Sequence, residues 1–498
     1  MKKTFSNNLG RAVSVAVVLL LLGGFVFAQR SPDDEKRRRR DENGDRRGNR
    51  EAAVFQTDVP AHAWDIVLGR PTRNSVTLSV LAYTDTEATI VYGPQKGKYD
   101  RETAKLALKK DAPSEVVLGD LKPNTRYYYR FRSRPAGGGR FEDSREFDFT
   151  TARPAGTDFT FAIQADSHLD EGIDTDVYRR SLLNAGAANP DFLVDLGDTF
   201  MTDKYPEFRQ AAAQYVAQRY YFGLVGASVP VFLALGNHDG ENGWRRSGGE
   251  SMFDWSNMMR RRYFPNPVPN EFYGGNRTPD KTLGLLQDYY AWEWGDALFV
   301  VLDPFTFTVS RARGDDDNWN WTLGREQYFW LKETLEKSRA KYKFVFIHHL
   351  VGGADRVARG GAEAAAFWEW GGRSFDLKDE FSANRNGFAL PVHQLLVRNQ
   401  VAAVFHGHDH LFVKQDLDGI VYQEVPQPGH RRADNVRTAE EYGYKSGVVR
   451  GSSGVLIVRV TSASAKISYV RAFPEGRERN GRPDGAIEYE YEIPARRP

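Results

Sequence analysis

An all-β sandwich followed by a larger α/β domain is the fold class this sequence predicts, and three observations predict it. Between about residues 52 and 154 the chain alternates apolar and polar residues in short runs separated by Gly, Pro, Asn and Asp turns. From about residue 155 onward, apolar strands alternate with helical stretches, the signature of parallel pairing. Within that longer region, strand after strand runs out into Asp, Asn or His.

Taken in order, the chain opens with Lys2, Lys3 and Arg11, followed by an apolar run from Ala12 to Ala28. This is how a secretory signal peptide is built, with cleavage expected after Ala28. The competing reading is an uncleaved anchor, but the run is short for a spanning helix and contains Gly23 and Gly24. The expectation is therefore an exported chain, periplasmic or secreted, with no transmembrane anchor after cleavage. Residues 29–51 carry both signs of charge, including Arg37 to Arg40, and almost nothing apolar, so they cannot bury enough surface to fold and read as a linker. The chain has no cysteine, which excludes disulfides, thiolate ligands, a cysteine nucleophile and thioester acylation. A net charge of +2 provides no global argument for a nucleic-acid or membrane partner.

In the sandwich, residues 52–154, the strand candidates are SVTLSVLAY, EATIVYG, SEVVLGDL, TRYYYRFRS and REFDFTTA. The segment Leu121-x-Pro123-x-Thr125-x-Tyr127 resembles the tyrosine corner of fibronectin type III domains, with Tyr127 expected to hydrogen-bond back to the chain. Packing beside its neighbour and shaping its rim is the role expected of this domain.

In the α/β domain, residues 155–498, six strand candidates carry the argument. FTFAIQ leads to Asp166 and His168, DFLVDLG to Asp198, and VPVFLALG to Asn237, His238 and Asp239. ALFVVL leads to Asp303, FVFI to His348 and His349, and VAAVF to His406, His408 and His410. In open α/β sheets ligands gather outside the carboxyl ends of the strands, so these distant residues are expected to converge. Seven of the ten histidines lie at such ends, while His62, His393 and His430 read as turn, helix and loop residues. Oxygen donors mixed with imidazoles suit Zn, Mn or Fe, and the lack of thiols argues against a closed structural zinc. A shared carboxylate is the usual way to hold a pair of ions for phosphoryl displacement.

The ordered set Asp166/His168, Gly197/Asp198, Gly236 to Asp239, His348 and Gly407 to His410 resembles the calcineurin-like metallophosphoesterases, over roughly residues 157–425. With the sandwich in front, the whole is similar to bacterial relatives of the purple acid phosphatases. The resemblance implies a four-layer α-β-β-α catalytic domain holding two divalent ions. One ion would take Asp166, His168, Asp198 and His410, and the other Asp198, Asn237, His348 and His408. Asp198 would bridge them, and a hydroxide between the ions would attack a phosphate ester. The resemblance also gives His238 the role of proton donor or phosphate stabiliser, with Asp239 orienting it from behind.

Substrate contacts are expected from His349 and from two long insertions. Residues 240–287 carry Trp244, Arg245, Arg246 and Arg260 to Arg262, and residues 350–387 carry Trp368, Trp370, Arg373 and Arg385. Arg245 and Arg385 are the arginines proposed to face phosphate. The acidic run Asp315 to Asp317 lacks the spacing of a calcium loop and reads as a solvated turn. His406 reads as a core or supporting residue. The segment from Gly447 to Phe473 is expected to complete the second sheet, followed by a last strand AIEYEYEI. One departure from the purple enzymes is Met201, which stands where their iron-binding tyrosine follows the bridging aspartate. A phosphate ester is the expected partner, with no stable nucleic-acid partner. A phosphodiesterase or nuclease using the same metals, and a non-catalytic binding protein using the sandwich, are the alternative readings.

Overall fold

The computed structural model describes residues 54–247, 250–311, 318–350, 359–478 and 482–496. The expected signal peptide and charged linker, and the run Asp315 to Asp317, lie outside the described residues.

Strands Trp64–Gly69, Val76–Ala82 and Ser114–Leu118 form a three-stranded antiparallel sheet. It faces a second sheet built around Thr86–Gly93 and Arg126–Pro135. Ile66, Leu68, Leu78, Ile90, Tyr129 and Phe131 fill the space between them. The Tyr127 hydroxyl accepts a hydrogen bond from the backbone N–H of Lys122 at 2.9 Å, closing the corner before its strand.

The sandwich is fastened to the rest of the chain by a buried arginine. Arg219 lies in helix Ala212–Gly226. Its guanidinium donates to Asp65 Oδ1 at 2.7 Å, to Ser79 Oγ at 2.9 Å and to the carbonyl oxygens of Ser79 at 2.8 Å and Tyr263 at 2.6 Å. The Tyr129 hydroxyl adds a bond to the carbonyl of Ala227 at 2.6 Å.

The remainder is four layers. A six-stranded sheet has the parallel strands Phe159–Gln164, Leu193–Asp195 and Val231–Leu233 on one side. Continuing from Phe159–Gln164 come the antiparallel strands Gly454–Val460, Ser464–Arg471 and Ile487–Pro494. An eight-stranded sheet contains the parallel set Ala297–Val301, Tyr342–Phe346 and Ala403–His406. Alternation decides which residues face which layer. Phe161 and Ile163 point between the two sheets, where Phe232 stacks on Trp292 at 4.1 Å between ring centroids. Ala162 points outward, under helices Thr175–Ala187 and Ala212–Gly226. Helices Arg325–Lys337 and Val392–Arg398 cover the outer face of the larger sheet. Among the described residues, no helix is long and apolar enough to cross a membrane.

The C-terminal strands correct one expectation. Only the short Val448–Arg450 joins the larger sheet; the long strands complete the first one, alongside Phe159–Gln164. The reason is the pattern of Val455 to Val460: its two faces serve the inter-sheet core (Leu456, Val458) and the helix layer (Val455, Ile457), which a position in mid-sheet requires.

Candidate metal centre

Five parallel strands from the two sheets end at one place. Phe159–Gln164 delivers Asp166 and His168, Leu193–Asp195 delivers Asp198, Val231–Leu233 delivers Asn237 and His238, Tyr342–Phe346 delivers His348, and Ala403–His406 delivers His408 and His410. Asp166, His168 and His410 form one group, and Asp198, His348 and His408 a second; within each, one donor atom per residue lies within 4.8 Å of the others. His410 Nε2 stands 3.1 Å from His168 Nε2 and 3.4 Å from Asp166 Oδ1. His348 Nε2 stands 3.1 Å from Asn237 Oδ1 and 3.3 Å from Asp198 Oδ2. Donors about 2.1 Å from a shared first-row ion stand about 3.0–3.4 Å apart, so these separations fit ligand sets.

The backbone aims these side chains. Each of the two central carboxylates uses one oxygen on a backbone N–H and keeps the other for the cluster. Asp166 Oδ2 accepts from His408 N at 2.9 Å, and Asp198 Oδ1 accepts from His238 N at 2.8 Å. Asp198 Oδ2, 3.3 Å from His348 Nε2 and 3.8 Å from His168 Nε2, reaches both groups. A Cβ on Gly236 would overlap the backbone N and Oδ1 of Asp198, so the glycine of the Gly-Asn-His-Asp motif is required by close approach. Asp166, His168, Asp198, His408 and His410 all sit at positive φ, between 54° and 86°. Such backbone costs about 1–3 kcal/mol per residue and persists only where its surroundings hold it.

Proton placement is consistent with ligation. His348 Nδ1 donates to the carbonyl of Leu196 at 3.0 Å, which leaves Nε2, facing Asp198 and Asn237, as the nitrogen whose proton a cation would displace. His168 Nδ1 lies 3.3 Å from Asp170 Oδ2. Neither buried ring nitrogen of His408, nor Asp166 Oδ1, has a hydrogen-bond partner among the described residues, so Asp166 Oδ1 and the one unprotonated nitrogen of the His408 imidazole are free to take a cation. Burial opposes charge on His168, but its contacts with Asp166, Asp170 and Asp198 outweigh that and push it up to about 10. Burial likewise opposes charge on His348, and Asp198 with Asp166 pushes it up to about 9. A carboxylate-rich pocket that draws protons onto its histidines is one that a divalent cation can occupy in their place.

His238 is not within either group. Its Nδ1 lies 2.7 Å from Asp203 Oδ1, and its side chain keeps 27% exposure. The second oxygen of Asp203 stands 3.7 Å from Arg245 Nη2, so one carboxylate holds both the histidine and the arginine at the rim. The expectation that Asp239 orients His238 is corrected: its carboxylate accepts from the backbone N–H groups of Asp198, Thr199, Phe200 and Gly236 at 2.8–3.1 Å. Asp239 thus shapes the loop that carries Asp198, and Asp203 is the partner of the imidazole. Nothing in the sequence marks Asp203, which lies in a short 3₁₀ turn, Thr202–Lys204.

Arg385 is also corrected. Its guanidinium is held by Glu369 and by the carbonyl oxygens of Trp319 and Trp321, and Glu369 in turn accepts from Leu323 N at 2.8 Å. Trp368 and Trp370 belong to the core under the larger sheet and form no substrate wall. In the first insertion Arg260 is buried against Glu241 at 2.6 Å, Arg246 pairs with Asp280 at 2.6 Å, and Arg261 and Arg262 bond carbonyl oxygens. His349 is buried, with its ring 4.5 Å from that of His408. His406 Nδ1 stands 2.6 Å from Glu424 Oε2; burial pushes the histidine down to about 3 and the acid up, leaving a neutral pair. His430, read as a plain loop residue, lies with its ring 6.4 Å from that of His410. Asp303 receives the backbone N–H of Phe305 at 2.7 Å and stays outside both groups.

The calcineurin-like phosphoesterase family model matches residues 159–412, from the first strand of the six-stranded sheet to just beyond His410. The chain belongs to the calcineurin-like phosphoesterases. It is accordingly a metal-dependent phosphoesterase, and the reading as a non-catalytic binding protein falls away. Among solved structures, this phosphoesterase is similar to the purple acid phosphatase PPD1 from seeds of yellow lupin (Lupinus luteus), at 14% identity over 87% of this chain and 74% of that one, with a TM-score of 0.57. It is also similar to PhoD, at 17% identity over 90% of this chain and 92% of that one, with a TM-score of 0.59. At such identities the likeness is one of fold. No curated protein matches this phosphoesterase in sequence.

Proposed function

We propose that this phosphoesterase is exported and hydrolyses phosphate esters with two divalent ions, Zn, Mn or Fe. Asp166, His168, Asp198 and His410 would hold one ion, and Asp198, Asn237, His348 and His408 the other. The observation that carries this reading is the placement of Asp198 Oδ2 between His168 and His348, which joins the two ligand groups through one oxygen. When bound, the ions supply the positive charge and the activated oxygen that displacement at phosphorus needs.

The chain's own residues do the rest. Asp203 fixes His238 through Nδ1, so Nε2 is the atom left to give a proton to the departing oxygen. Arg245, tied loosely to Asp203 and partly exposed, would meet a phosphate oxygen. Phe305, buried with its ring 6.0 Å from that of His348, would give that side of the cluster an apolar wall. Arg246, Arg260 and Arg261 are engaged by carboxylates and a carbonyl of the same insertion, which supports a compact ester over a nucleic-acid strand.

The test is a panel of mono-, di- and polyphosphate esters assayed with Zn, Mn and Fe, alongside Asp198→Ala. Hydrolysis that requires metal and vanishes in the variant supports the reading; hydrolysis that survives chelation sinks it. Export rests on residues 1–28, and is checked by the amino-terminal sequence of the mature protein, expected to begin at Gln29.

A further inference from the structure

The loop that carries His168 holds three residues at positive φ, Asp166, His168 and Leu169, at 60°, 55° and 48°. None of the three is a glycine, so the conformation has to be imposed from outside. Some of that constraint comes from the first described residues of the chain. Gln56 N donates to the carbonyl of Leu169 at 2.8 Å, and its side-chain Nε2 donates to the carbonyls of Asp170 at 3.0 Å and Ile173 at 2.7 Å. Phe55 pairs with Asp170 as an isolated antiparallel bridge, and its ring stacks on Tyr205 at 3.7 Å between centroids.

Those contacts meet the centre at one residue. Asp170 Oδ2 is 3.3 Å from His168 Nδ1 and 3.2 Å from Lys204 Nζ, while Tyr205 follows Lys204 directly. The strap therefore grips both loops whose side chains converge on Asp170, and through it the imidazole. Asp170 is the kind of outer carboxylate that sets the tautomer and orientation of a ligating histidine.

We propose that Phe55 and Gln56 are positioning residues for His168, and that they set the affinity of one of the two metal positions while leaving the other unchanged. The proposal rests on the reading of Asp166, His168 and His410 as ligands of one ion. It goes beyond that reading in assigning a role in metal selection to a segment distant in sequence from every ligand.

The experiment uses the full mature chain, stripped with a chelator and dialysed against graded Zn or Mn, with bound metal counted per chain and activity followed in parallel. In the double variant Phe55→Ala/Gln56→Ala one ion is expected to bind about 10-fold more weakly, the second as in the parent. The metal concentration for half activation should rise by the same factor, and the rate at saturating metal should return to the parent's. Phe55→Tyr, which keeps the stacked ring, should behave as the parent. Parental affinity for both ions in the double variant overturns the proposal, and so does equal weakening of both. Should the double variant fail to fold, Gln56→Ser, which removes only the two side-chain bonds, carries the same two outcomes. His168→Ala separates the layers: if it retains both ions at parental affinity the ligand reading itself fails, whereas loss of one ion there with an unaffected double variant removes the strap alone.

Discussion

Asp203 Oδ1 lies 2.7 Å from His238 Nδ1, and its other oxygen faces Arg245 at 3.7 Å, so one carboxylate from a 3₁₀ turn sets the imidazole and a guanidinium together. His238→Ala is expected to lower kcat by about 10²–10⁴-fold, most on esters with poor leaving groups, with metal content unchanged. Asp203→Asn should lower it by about 10-fold with the same dependence on the leaving group. A series of aryl phosphates graded by leaving-group pKa reads this out, and a uniform loss across the series would contradict the proton-donor role.

Asp198→Ala removes the oxygen that stands 3.3 Å from His348 Nε2 and 3.8 Å from His168 Nε2. Bound metal should fall below two ions per chain and hydrolysis should be lost. Metal analysis showing two ions in an active variant would sink the bridging assignment.

Metal uptake should release protons. With the folded metal-free His168 pushed up to about 10 and His348 to about 9, both are protonated at neutral pH and must lose that proton to ligate. The sign follows: apparent affinity falls as pH is lowered below about 9. Calorimetric titrations in buffers of different ionisation heat count the protons directly, and a pH-independent affinity would refute the assignment of these two ligands.

The active protein should be colourless. Met201 is buried where the resemblance to the purple enzymes would put a tyrosine, and the ring of Tyr205 is stacked on Phe55. A thioether is a poor ligand for ferric iron, so divalent ions are favoured at both positions and mild reductants should not inactivate. A visible band in the purple enzymes' range that disappears in Tyr205→Phe would show that another tyrosine had been recruited.

Arg219→Met should destabilise the fold by about 3–5 kcal/mol, since it leaves the carboxylate of Asp65 buried without its cation. Burial raises Asp65, but the Arg219 charge and the contacts with His62 and Tyr83 outweigh it and hold the acid below its ordinary value. The pair's contribution is therefore complete above the ordinary carboxyl range and is lost as pH falls through the lowered value. Denaturant titrations of parent and variant at neutral and acidic pH measure both effects, and a variant as stable as the parent would remove Arg219 as the fastening between domain and sandwich.

The groups that make up the centre were legible because ligation forces a pattern onto the sequence: Asp-x-His and His-x-His at the ends of apolar strands have few other uses. What was not legible is everything that acts through the backbone or across loops. Asp239 stands beside His238 in sequence, yet its oxygens turn to four backbone N–H groups, a geometry that no spacing rule reveals. Asp203 and Asp170 look like ordinary surface acids until folding sets them against imidazoles. Arg385 failed for the opposite reason, because an arginine in a long insertion reads the same whether it meets substrate or a buried Glu369. The sheet joined by Gly454–Val460 could not be told from its apolar pattern, since a strand covered on both faces suits either sheet.

The strand that launches Asp166 and His168 has Leu193–Asp195 on one flank and Gly454–Val460 on the other. A ribosome finishes every candidate ligand, through His410, before it reaches that second flank. The growing chain thus carries a full complement of metal-seeking side chains well before the framework that aims them can close. Until the terminal hairpin docks, Phe161 and Ile163 lack Leu456, Val458 and Ile467 above the inter-sheet core, and one edge of Phe159–Gln164 offers unpaired N–H and C=O groups to any passing strand. Pairing between segments so distant in the chain is slow. Removal of the chain from Gly454 onward is therefore expected to cost the fold and leave a strand edge open to aggregation, even though it removes no residue of either candidate ligand group.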